Sequence, residues 1–214
     1  FWGGSSVWKR MAQFTMLMPR GQRKDGLRKL EEIAANGDDS KLWARRFLLG
    51  IYSRNPAFSR QALEMAESLH RMFPDNAIFQ LALADCYRKS GRWVLAEAVY
   101  RSIDTKVSSH LPSYDEVAFE ISRLRTVECR INLGKMDEAF GNVRDILVSN
   151  PINPEWVVPR AHLCAARIYR HRGQLRRAQR ALKYALDGVD YENLHDVAKK
   201  ELEAVEKMTK GKKP

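Results

Sequence analysis

Residues 79–103, FQLALADCYRKSGRWVLAEAVYRSI, carry the pattern that decides the fold. The small residue Ala84 is followed three positions later by the aromatic Tyr87, then by Gly91, and then by Trp93, Ala96 and Tyr100. Apolar residues recur at helical spacing on both sides of the glycine, the pattern of two amphipathic helices joined by a tight turn. Glycine allows the left-handed backbone that ends the first helix. Alanines mark the contact line, because two helices approach closely only where side chains are small; tyrosine, tryptophan and leucine fill the space between pairs.

The skeleton recurs on both sides of this stretch. Downstream, VECRINLGKMDEAFGNVRDIL (127–147) sets Val127, Gly134, Met136, Ala139, Val143 and Ile146 at matching offsets, and Pro151 closes the unit. AARIYRHRGQLRRAQRALKYAL (165–186) does the same with Ala166, Tyr169, Gly173, Leu175, Ala178, Leu182 and Ala185. Upstream, LLGIYSRNPAFSRQALEMAESLHRMFPDN (48–76) supplies Gly50, Tyr52, Ala62, Ala66, Leu69 and Pro74, with a turn around Asn55 and Pro56 in place of the glycine. Strand-like alternation is absent. Recurrence at this spacing predicts a solenoid of helical hairpins.

These offsets resemble the tetratricopeptide repeat, a helical hairpin of 34 residues, over about residues 41 to 190. The resemblance implies an all-α fold, a right-handed α-α superhelix of about four hairpins with flanking helices. Ala62, Ala96, Ala139 and Ala178 lie 34, 43 and 39 residues apart, so two units are stretched. The larger insertion, DTKVSSHLPSYDE (104–116), is expected to extend the loop and the following helix. Arg130 stands where the repeat usually carries tyrosine. Asn153-Pro154-Glu155 reads as a helix start, which Pro159 kinks or shifts.

The expected organisation is therefore a hydrophobic, aromatic helix and linker over 1–23, repeats over 24–190, and a capping helix with a basic tail over 191–214. Within the repeats, a half-unit at 24–38 precedes units at 41–74, 76–112, 115–151 and 154–190. In the half-unit, Leu27, Leu30, Ile33 and Ala34 share one face. The chain opens at Phe1 and not at methionine, and reads as a piece of something longer.

Chemistry-bearing motifs do not emerge. Cys86, Cys129 and Cys164 form no CxxC pair and read as buried thiols, which leans toward a reducing compartment. His70, His110, His162, His171 and His195 have no metal-ligand spacing, and no glycine loop has the form that cradles phosphate. No cofactor, metal or catalytic set is expected, and no apolar run is long enough to span a bilayer.

Charge is the more informative signal. Thirty-seven Lys and Arg against twenty-six Asp and Glu give a net charge of +11, favouring acidic partners. No acidic residue lies between Glu155 and Asp187, where Arg160, Arg167, Arg170, Arg172, Arg176, Arg177, Arg180 and Lys183 accumulate. First helices line the concave groove in the resembled family, which implies a groove of Asp85, Arg88, Lys89, Arg125, Glu128, Arg160, Arg167, Arg170 and His171, basic at its C-terminal end. Leu81, Leu124 and Leu163 fall where members that clamp a terminal carboxylate carry polar residues, so that clamp is absent. Arg176, Arg180 and Lys183 share a face of the second helix.

The expected function is a non-catalytic scaffold binding a peptide or partner subunit of acidic character. Two alternatives follow from the same features. One is peripheral attachment to an anionic membrane surface, or less readily to nucleic acid, with Trp2, Trp8, Met11 and Phe14 of the N-terminal stripe as membrane or subunit contacts. The other is a structural segment of a larger assembly. The compartment reads only as a lean toward cytoplasm or the periphery of a membrane.

Overall fold

The computed structural model describes residues 20–38 and 40–210, with side chains from residue 24 onward. Trp2, Trp8, Met11 and Phe14 lie outside the described residues. Ten α-helices and no strand are present among the described residues, an all-α fold of consecutively paired helices of tetratricopeptide type. They fall into two compact units divided between Met65 and Ala66.

The first unit holds α1 (Arg20–Asn36), α2 (Lys41–Tyr52) and the start of α3 (Ser59–Met72). Ala34 is buried, and α1 packs on α2. The Tyr52 hydroxyl donates to Glu31 at 2.6 Å, and Arg45 Nε donates to the Ala34 carbonyl at 3.1 Å. The expected turn at Asn55 and Pro56 is a 3-10 turn, Pro56–Phe58, capped by the Asn55 side chain, which accepts from the Ala57 N–H at 3.1 Å. An asparagine cap and a proline in the first turn do here what glycine does elsewhere.

The second unit continues with α4 (Ala77–Lys89), α5 (Trp93–Ser108), α6 (Glu116–Asn132), α7 (Met136–Ser149), α8 (Val157–His171), α9 (Leu175–Asp187) and α10 (Leu194–Lys210). Each packs on its successor, and the first helices α4, α6, α8 and α10 also touch in sequence. Ala96, Ala139 and Ala178 are fully buried where the second helices meet their neighbours. Tyr100, Ile103, Val143, Ile146 and Leu182 fill the space between hairpins.

The three two-helix turns share one geometry. Gly91, Gly134 and Gly173 have φ of 74°, 76° and 70°. The next residue's N–H (Arg92, Lys135, Gln174) donates to a carbonyl five residues back (Tyr87, Arg130, Tyr169) at 2.9 Å in every case. This closure satisfies carbonyls that a helix end leaves without partners.

The 104–116 insertion differs from expectation. It lengthens the preceding helix, α5, and leaves a short loop. Thr105, Ser108 and Ser109 hydroxyls bond back to carbonyls four residues earlier, which carries α5 through a polar stretch. His110, at φ 55°, ends it, and Asp115 starts α6 by accepting from the Ala118 N–H at 2.8 Å. Buried Tyr114 pins the loop to α4, donating to Gln80 Oε1 at 2.5 Å. The stretch before α8 also differs. Asn153-Pro154-Glu155 precedes the helix, which begins at Val157 and holds Pro159 in its first turn, where a missing N–H costs nothing.

Replacing Gly134 by alanine places a side chain at positive φ, although no neighbouring atom obstructs it. The unfolding free energy should fall by about 1 kcal/mol, less for asparagine, with the urea midpoint as the readout.

Candidate functional site

The nine residues expected to line a groove fall on α4, α6 and α8, and most of them are drawn into ion pairs. Asp85 on α4 accepts from Arg88 at 2.5 Å and from Lys89 at 2.7 Å. On α6, Glu128 accepts from Arg125 of the same helix at 2.8 Å and from Arg160 of α8 at 2.5 Å, with Arg88 at 3.7 Å. Arg125 is only 4% exposed, and Glu128 is also buried. Arg167 and Arg170 converge on Glu201 of α10, at 2.8 and 3.6 Å. His171 ends α8 exposed.

A residue outside the expected set completes this cluster. Glu192, in the loop before α10, accepts from Arg125 at 2.9 Å and lies 3.5 Å from Arg160 and 3.8 Å from Arg88. The left-handed conformations of Glu192 and Asn193 turn the loop at this point. Tyr191 stacks on Trp156 with ring centroids 4.4 Å apart, and the Arg125 guanidinium lies over the Trp156 ring, 5.1 Å from its centroid. The Tyr191 carbonyl accepts from Arg160 at 3.3 Å. One loop therefore supplies an anion near all three arginines, a backbone acceptor to Arg160, and a ring that backs the Trp156 side chain against which Arg125 lies.

Burial by itself pushes the Glu128 carboxyl up. The guanidiniums of Arg125, Arg160 and Arg88 outweigh it and hold the carboxyl well below the usual carboxylate range. Asp85 is also lowered, its burial overcome by Arg88 and Lys89. Between α5 and α6 a second, smaller cluster repeats the arrangement. Arg130, the residue in the tyrosine position, donates to buried Glu97 at 2.9 Å, as does Lys135 at 2.9 Å. A charge pair takes the place of ring packing there.

The three cysteine thiols are shielded. Cys86, Cys129 and Cys164 are buried and unpaired, and burial pushes their thiols to about 11, 12 and 12. They are thiols, not thiolates, at neutral pH. Among the described residues no group of His, Cys, Asp and Glu could hold a metal ion, and no helix is long and apolar enough to cross a membrane.

A contrasting surface lies on α9. Arg176, Arg180 and Lys183 are exposed and make no hydrogen bond or ion pair among the described residues. Ala178, Ala181, Leu182 and Ala185 bury the opposite face. Arg172 and Arg177 are engaged, the first with Asp137 at 2.6 Å and over the Phe140 ring, the second with Gln174 at 3.3 Å and the Tyr169 ring.

The family model for the tetratricopeptide repeat matches residues 57–109, from the end of the 3-10 turn through α5. With the paired helices on either side, that match supports assignment to the tetratricopeptide-repeat superfamily, and no subfamily is identified. No curated protein matches the chain. Repeats of this kind mediate protein–protein interaction and are typically non-catalytic.

Glu128→Gln leaves three arginines sharing one less anion, and should lower the unfolding free energy by about 3 kcal/mol. A carboxylate whose pKa is depressed by folding stabilises the native state above the ordinary range, and that contribution vanishes as pH falls toward the folded value. Stability of the parent chain should therefore drop steadily from about pH 5 downward, and the Gln variant should show a flatter acid limb in denaturant titrations.

Proposed function

We propose that the chain is a non-catalytic scaffold that takes an acidic segment of a partner protein along its first helices. The observation that carries this reading is the charge imbalance of the row. Among the described residues, six cations, Arg88, Lys89, Arg125, Arg160, Arg167 and Arg170, form ion pairs with four carboxylates, Asp85, Glu128, Glu192 and Glu201, so the row is rich in positive charge on rigid helices. Arg125 and Glu128 are buried and act by fixing their neighbours. Contact falls to the accessible members, Lys89 and Arg170, each with a side chain 37% exposed, together with Asp85, Arg167 and His171. Guanidiniums held by one carboxylate keep further donors for a second, because arginine presents five N–H groups in a fixed fork. The family's general role as a protein-binding fold supports the same reading.

The test uses an extended peptide with leucine anchors and glutamate flanks, titrated against the whole chain by fluorescence anisotropy. Lys89→Glu with Arg170→Glu should weaken binding by about tenfold or more at low salt, with unchanged circular dichroism. Equal affinity in the double variant removes the first-helix row from the interaction.

A further inference from the structure

The outer face of α9 presents charge that the fold does not use. Arg176, Arg180 and Lys183 stand four and three residues apart on one helical line, a rise of about 6 Å and then about 4.5 Å. They are exposed and without hydrogen bonds or ion pairs among the described residues, whereas the cations of α8 are paired with Glu128, Glu192 and Glu201. Asp187, exposed, is the acidic residue at the end of this helix and sets the limit of the positive line. Beside the line, Tyr184 is 58% exposed and stacks on His162 of α8, with ring centroids 5.1 Å apart. The helix is anchored beneath by four buried side chains, so the ladder is held in place before any partner arrives.

We infer that this face is a second docking surface, distinct from the first-helix row, for an acidic α-helix of a partner protein. Three observations favour that occupant. Cations at helical spacing along a straight ridge match carboxylates at the same spacing on a facing helix, one pair per turn. Arginine with an exposed, pre-stacked tyrosine is the combination that dominates protein interfaces, since a rigid ring buries large area at small entropic cost. Three cations confined to one helix also fall short of the several phosphate contacts that a nucleic-acid footprint gathers.

The experiment uses the whole chain and a labelled alanine-rich helical peptide with glutamates along one face and a leucine beside them. A glutamine version of the peptide, a single-stranded oligonucleotide and phosphatidylserine vesicles are run alongside. The glutamate peptide should bind, and the glutamine peptide should bind at least about tenfold more weakly at low salt. Charge reversal (R176E, R180E and K183E together) should abolish binding, and neutralisation to glutamine should weaken it. Tyr184→Ala should reduce the affinity that survives at high salt. Lys89→Glu with Arg170→Glu should leave this peptide's affinity unchanged, which separates the two surfaces. The inference is overturned if the triple variants bind as the parent does, if the glutamine peptide binds equally, or if the oligonucleotide or the vesicles compete more strongly than the glutamate peptide.

Discussion

Glu128 is a carboxylate buried between two first helices, and burying one costs several kcal/mol unless its oxygens are fully engaged. Three arginines meet that cost, but each brings a charge of its own into the same space. One carboxylate cannot neutralise three guanidiniums. Asp85 engages Arg88 from within α4, and Glu192 adds a further anion, which reaches the cluster because the loop after α9 folds back over Trp156. The course of the chain from Gly188 to Asn193 thus follows from an electrostatic requirement set on α4, α6 and α8. Glycine permits the close approach there, since the Gly188 backbone lies against the Pro159 ring where a Cβ would clash.

The helical hairpins were legible because their determinants are local. Ala96, Ala139 and Ala178 are buried as their register implies, and Gly91, Gly134 and Gly173 each adopt the left-handed turn. Insertions were less legible. Asp104 to Ser108 read as loop because serine and threonine are poor helix formers, yet their hydroxyls can bond to preceding carbonyls once the helix has begun. The delayed start of α8 has a similar origin: capping residues and proline are compatible with several starting points, and packing of Val157 and Ala161 selects among them.

The site was only half legible, and the reason lies in how charge was counted. A stretch without acids between Glu155 and Asp187 reads as uniformly basic along the sequence. In a stacked repeat, however, the electrostatic neighbours of a first helix are other first helices. Arg160 finds Glu128, 32 residues away, and Arg167 finds Glu201, 34 residues away. Opposite charges about one repeat apart on first helices are therefore a usable signal, and Glu201 could have been identified by it, whereas Glu192 lies in a loop that the rule does not reach. Arg160 and Arg167 owe their partners to this spacing, whereas Arg88 and Arg125 also pair within their own helices, with Asp85 and Glu128.

That distinction also decides which arginines can give specificity to binding. A guanidinium already shared between internal carboxylates is oriented and desolvated, so a new anion gains geometry but competes with an existing partner. A guanidinium in water gains Coulomb attraction that salt screens and offers little orientation. The first-helix row belongs to the first kind and the α9 ridge to the second, although Tyr184 adds an apolar contact that salt does not weaken. A net charge of +11 raises encounter rates with any acidic protein. On the proposed reading, selection among such proteins comes from short-range fit at Tyr184 and at the paired guanidiniums, where misplaced carboxylates lose hydrogen bonds that water would have given them.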